Sequence, residues 1–153
     1  MTTQAVLNKI LANAKTYTKN YLNAMPEDGY AFKPIPEIRS FAQQMLHLAD
    51  ATYYFVCMAS GKPSPIGQVS AEQTIAPTKE ATTKAVMDSY DFFTTVVNEM
   101  TAEQLQETVK FGDFEVPKIA VITKAYEHQA HHRGQAAIYL RLQGVVPSDG
   151  IIF

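Results

Sequence analysis

The chain has 153 residues, 46% hydrophobic and 18% charged, a length that predicts one compact domain over 1–153 and is short for two. Thirteen Lys and Arg against fifteen Asp and Glu give a formal net charge of −2, which leaves no cationic excess to release counterions from a phosphate backbone and argues against nucleic-acid partners. Apolar runs such as 53–59 and 119–122 fall well short of the roughly 20 residues that span a bilayer, which predicts no membrane partner.

Within residues 1–15, Gln4, Asn8, Lys9, Asn13 and Lys15 interrupt any signal-peptide hydrophobic stretch, and the single Cys57 forms no internal disulfide, so a cytoplasmic location is expected. A first helix is predicted over 4–24, where Val6, Ile10, Ala14, Tyr17 and Tyr21 recur at intervals of three and four and read as its buried face. Pro26, Gly29, Pro34 and Pro36 then predict an irregular crossing. A second helix follows from about Ile38 to Ser60, with Phe41, Leu48, Phe55 and Met58 on one side and Gly61 placed to end it. Residues 61–77 carry three prolines and two glycines among few large apolar groups and read as a long surface connection.

Thr78 can cap a third helix that runs through Val86, Tyr90, Phe93 and Val97 to about Met100. Thr101 with Glu103 and Gln104 predicts a second cap and a short helix. From Val109 to Val116, apolar and polar residues alternate on both sides of Gly112-Asp113, the pattern of a β-hairpin. Pro117 fits the first position of a fourth long helix that continues to Gln143 and stops at Gly144, with Pro147 beyond. Four long helices and one small hairpin before the last of them define an all-α class, a four-helix bundle.

The histidines carry the chemistry. Three of the four, His128, His131 and His132, fall within five residues of the last helix. At roughly 100° per residue, His128 and His132 lie about 40° apart around the helix and about 6 Å along it, so both rings reach one point while His131 is directed elsewhere. Val121, Ala125, Gln135 and Tyr139 lie within roughly 60° of the same direction, which puts the pair in the stripe facing the core. His47, near the middle of the second helix, shares a direction with Gln44, Ala51, Tyr54 and Met58. Three imidazoles from two helices resemble a divalent-metal site with a position left for water or substrate. Taken singly, each histidine also reads as a core or surface residue with a local hydrogen bond, and spacing does not tie His47 to the pair.

His128-Gln129-Ala130-His131-His132-Arg133-Gly134-Gln135, followed by Tyr139-Leu140-Arg141-Leu142-Gln143-Gly144 and Pro147, resembles the C-terminal signature of the DinB/YfiT-like metalloenzyme family, which is distinct from the DNA polymerase of similar name. Ser40-Phe41 through His47-Leu48-Ala49-Asp50-Ala51, preceded by Met25-Pro26-Glu27 and Phe32-Lys33-Pro34, resembles the family's entry to helix two and its first histidine. The resemblance implies an up-down-down-up bundle, usually a homodimer, with one divalent metal ion, zinc or nickel, on the matching positions His47, His128 and His132. It also implies chemistry: characterised branches are similar to thiol-dependent S-transferases and a thiol-dependent isomerase that use small thiols such as bacillithiol or mycothiol.

Such a centre would take a substrate thiol, favour its thiolate and direct it at a small electrophile. With water in the open position the same ligands would serve a metal-dependent hydrolase, and a non-catalytic metal-binding stress-response bundle is the third reading. Gln44, Tyr54, Gln135 and Tyr139 are the substrate-pocket candidates by helical direction, with ordinary hydrogen-bonded core residues as the alternative. Arg133 points away from the histidine stripe and reads as a structural or interface ion pair, and Gly134 as a point of close backbone approach. Asp50 could orient the His47 ring but reads better as a solvated carboxylate, and Cys57 as a buried, unreactive thiol.

Overall fold

The computed structural model describes residues 2–150. Helix α1 (Thr3–Ala24) starts where the Thr2 side chain accepts the Ala5 N–H, and a single 3-10 turn, Glu27–Gly29, follows it. Helix α2 (Phe41–Ser60) begins later than the apolar pattern alone suggests. Ser40 Oγ accepts the Gln43 N–H while the Gln43 side chain accepts the Ser40 N–H, and this reciprocal cap fixes the first turn after Ile38 and Arg39. Gly61 ends α2 in the left-handed region at φ +72°, where a side chain would clash with the following carbonyl.

The 61–77 connection is irregular apart from one helical turn, α3 (Ala71–Thr74). Thr78 caps α4 (Lys79–Glu99), and Thr101 with Gln104 forms a second reciprocal cap at α5 (Ala102–Gln106). Strands β1 (Thr108–Phe111) and β2 (Phe114–Pro117) pair antiparallel with Phe111 opposite Phe114, and Gly112, at φ +61°, takes the loop position that requires a positive angle. Pro117 ends β2 and precedes the last helix, α6 (Lys118–Leu142), by one residue instead of opening it.

Helix α2 packs between α4 and α6, and α1 closes the bundle against the same two helices. Lys15 pairs with Asp91 and the Gln4 amide reaches the Val97 carbonyl, so α1 runs antiparallel to α4. The Tyr126 hydroxyl donates to the Leu7 carbonyl and Arg133 to the Thr18 hydroxyl, so α1 and α6 run the same way. Gln44 meets Gln135 and Phe55 meets His128, which sets α2 antiparallel to α6, while Tyr53 against Phe92 and Lys62 against Glu99 set α2 parallel to α4. The topology is therefore up-down-down-up.

Leu11, Leu22, Phe41, Leu48, Tyr90, Phe93, Ile122 and Leu140 are fully buried in the shared core. Each large apolar side chain removed from water contributes on the order of 1.5–3 kcal/mol before chain entropy is charged against it. The face of α1 differs from the sequence expectation. Leu7, Leu11, Thr18, Tyr21 and Leu22 are buried, whereas Val6 and Ile10 are 39% and 40% exposed. Two apolar stripes one residue apart, about 100° around the helix, compete for the core, and the leucine stripe fits between α4 and α6. No helix among the described residues is long and apolar enough to cross a membrane.

Candidate metal centre

The antiparallel pairing of α2 and α6 sets the middle of one helix against the middle of the other and brings three imidazoles together. His128 and His132, four residues apart on α6, place their Nε2 atoms 3.1 Å from each other with ring centroids 4.3 Å apart. The His47 ring, from α2, lies 5.3 Å from that of His128 and 4.6 Å from that of His132. One ring nitrogen from each residue lies within 4.8 Å of those of the other two. His131 is exposed, with its Nε2 2.7 Å from the Gln135 side-chain amide nitrogen, and stays out of the group.

The electrostatics of this cluster keep its rings unprotonated. Burial, and then the neighbouring His128 and His47, push the His132 pKa down to about 3. Burial and His47 push that of His128 down to about 4, and burial followed by Arg39 lowers that of His47. All three rings are therefore neutral near pH 7 and keep a lone pair for an ion. Two ligands at about 2.0–2.1 Å around a tetrahedral centre lie about 3.3 Å apart, close to the Nε2 separation of the α6 pair. The Nδ1 atoms of His128 and His132 are buried without a partner among the described residues, leaving the inward-facing Nε2 atoms as the working ends of both rings. These observations fit a metal ion, with the Phe55 ring 5.8 Å from that of His128 as an apolar wall.

His47 also has charged neighbours that no spacing in the sequence announces. Its Nδ1 is 3.4 Å from Glu72 Oε2 on α3, and Arg39 Nε donates to Glu72 Oε1 at 2.8 Å. Asp50, expected as a solvated carboxylate, is instead fully engaged: it accepts the Ser70 hydroxyl at 2.7 Å, the Ala71 N–H at 2.7 Å and the Glu72 N–H at 3.1 Å. The Asp50 carboxylate outcompetes water because the chain turns three donors toward it at the start of α3.

The four pocket candidates fall on two sides of this group. Tyr54, 59% exposed, lines a cleft of about 550 Å³ with His47, Cys57, Met58 and the 64–70 segment. Gln44, Gln135 and Tyr139 line a separate cavity of about 450 Å³ with Arg39, and Glu72 borders both spaces. Gln44 donates to Gln135 across the α2–α6 seam, and the Tyr139 hydroxyl donates to the Arg39 carbonyl at 2.8 Å. Cys57 is half-buried, and burial pushes its thiol pKa up. Among the described residues Arg133 forms no ion pair; its guanidinium sits 4.6 Å over the Tyr17 ring and donates to Thr18. Gly134 is exposed, and among the described residues nothing lies within 4 Å of a Cβ placed on it, so no described backbone makes a close approach there.

An antiparallel helix pair that turns three neutral imidazoles inward defines a helical-bundle protein able to hold a metal ion. The family model of the DinB superfamily matches residues 10–136, and the chain belongs to that superfamily. A DinB-like protein of Bacillus subtilis superposes with a TM-score of 0.77 at 17% identity, covering 96% of this chain and 99% of its own. A DinB-like protein of Bacillus cereus gives 0.77 at 14% identity over 92% of both chains, and a conserved protein of Enterococcus faecalis gives 0.73 at 17% identity over 93% and 97%. At these identities the likeness is one of fold. No curated protein matches the chain.

Proposed function

We propose that His47, His128 and His132 hold one divalent ion per chain, zinc or nickel, and that the protein is a thiol-dependent S-transferase acting on small electrophiles. The observation that carries this reading is the convergence of three neutral imidazoles, one of which, His47, lines a cleft of about 550 Å³, a volume suited to a small molecule. A divalent ion held there supplies Lewis acidity, which lowers the pKa of a neighbouring thiol.

The chain's own residues provide the rest. The α2 and α6 backbones fix the three rings, Phe55 excludes water on one side of His128, and Tyr54 and Met58 offer apolar surface to the electrophile. In the transfer the substrate thiol gives up its proton to solvent, its sulfur forms the new bond to the electrophilic carbon, and the leaving group departs with the bonding electron pair. The attacking thiol comes from outside, because Cys57 is held protonated by burial. We further place the protein in the cytoplasm, as one domain over 1–153, where a lone free thiol is at home. We read it as a homodimer, for which exposed Val6, Ile10, Ile138 and Leu142 supply apolar surface.

Elemental analysis of wild type and His132→Ala, purified without nickel affinity resin, tests the centre: about one metal per chain in the wild type and strong loss in the variant are expected. Titration of the cobalt-substituted protein with small thiols then tests the reaction through a thiolate-to-cobalt charge-transfer band. Metal without any thiol response favours the hydrolase or a binding bundle, and a wild type that takes up no metal in excess removes the three-histidine centre.

A further inference from the structure

We infer that Glu72 is the positioning residue of His47, and that the 61–77 connection carrying it is a working part of the metal centre, so that ion binding and docking of this connection stabilise each other. The inference rests on the three-histidine reading above. It starts from a conflict at one atom. His47 Nδ1 has two partners at 3.4 Å, Glu72 Oε2 and Arg39 Nη2, and they make opposite demands. A carboxylate oxygen only accepts, so Glu72 needs a proton on Nδ1; a guanidinium only donates, so Arg39 needs a bare Nδ1.

An ion on Nε2 uses that nitrogen's lone pair and leaves the proton of the neutral ring on Nδ1, which selects Glu72. Arg39 then acts on Glu72 instead, through the 2.8 Å bond to Oε1, and holds the carboxylate in place. The other two rings have no comparable acceptor among the described residues, since the buried Nδ1 atoms of His128 and His132 lack partners there. His47 is therefore the ligand whose orientation depends on a group outside the two ligand helices.

That group is not fixed by its own helix, which is a single turn. It is fixed by Asp50, whose two carboxylate oxygens take the Ser70 hydroxyl and the N–H groups of Ala71 and Glu72. Asp50 lies on α2, three residues beyond His47, so ligand and latch ride on the same helix. The path from ion to His47 to Glu72 to Asp50 gives each end a stake in the other. Whatever stabilises the docked connection raises affinity for the ion, and the ion in turn stabilises the docked connection.

The test compares the full-length wild type with Glu72→Ala, the near-isosteric Glu72→Gln and Asp50→Ala. Zinc affinity is measured by chelator competition, and hydrogen exchange of residues 66–75 is followed with and without zinc. Loss of an acceptor to a ligating histidine weakens metal binding by about 10–100-fold, the fall expected for Glu72→Ala. Glu72→Gln, which keeps an acceptor oxygen and loses the charge, is expected to fall between it and wild type. Asp50→Ala, which leaves all three imidazoles and Glu72 in the chain, is expected to weaken zinc binding as well, and zinc is expected to slow exchange over 70–75 in wild type but not in Glu72→Ala. Faster exchange in Glu72→Ala and Asp50→Ala with zinc affinity unchanged would show a purely structural strap and overturn the inference alone. A wild type without zinc affinity would overturn the three-histidine reading and this inference with it.

Discussion

Each imidazole of the cluster is held neutral chiefly by burial, and the pair on α6 is held so most strongly. In the metal-free protein the His132 and His128 pKa values are pushed down to about 3 and about 4, from 6.5 in the unfolded chain. Below pH 6.5 the unfolded state takes up protons on these rings and the folded state does not, so unfolding gains. The stability associated with the neutral pair is complete above pH 6.5 and is lost as pH falls toward the folded values. Urea unfolding of chelator-treated protein is therefore expected to show a midpoint that drops more steeply between pH 6.5 and 4 in wild type than in His132→Asn; parallel slopes would contradict this account. At this scale the sequence was partly legible. The spacing of His128 and His132 is local, so helical geometry placed both rings together. Glu72 was hidden because it comes from a connection with no periodicity, and Asp50 was misread because its three donors lie some twenty residues ahead of it.

Among the elements, α2 carries both His47 and Asp50, and its start sets the rotational phase of His47. The reciprocal cap of Ser40 and Gln43 satisfies two otherwise free N–H groups of its first turn. Ser40→Ala is expected to lower stability by about 1 kcal/mol, read as a lower urea midpoint with an unchanged slope. Caps and turns of this kind were plain in the sequence: Thr78, Thr101, Gly61 and Gly112 each do locally what their side chains, or lack of one, allow. The face of α1 was not plain, because choosing between the Val6-Ile10 and Leu7-Leu11 stripes requires knowing the shape of the groove between α4 and α6. The turn at 71–74 was equally invisible, since its stability lies in Asp50 and not in its own four residues.

For the whole molecule, the three imidazoles come from the second and the last of the long helices, so an ion held on them would act as a cross-link of the folded state. Zinc at about 100 times its dissociation constant is expected to stabilise the fold by about 2.7 kcal/mol, seen as a rise in Tm that chelator reverses and His132→Ala abolishes. The number of long helices was legible from periodicity. Their directions came only from the family resemblance, which implied the up-down-down-up order found, because periodicity does not distinguish that order from simple alternation; the difference lies in long crossings whose paths depend on tertiary contacts such as Lys62 with Glu99 and Tyr126 with Leu7.

The antiparallel seam of α2 and α6 also orders events in time. More than half of the chain separates His47 from His128, whereas His128 and His132 are one helical turn apart. A refolding chain thus possesses a two-imidazole hook as soon as α6 coils, and a three-imidazole site only after the long loop between α2 and α6 has closed. On the three-histidine reading, trace metal in a refolding buffer would become a participant in the kinetics: gripped early by the local pair, it would reward this long-range docking step and hold it shut.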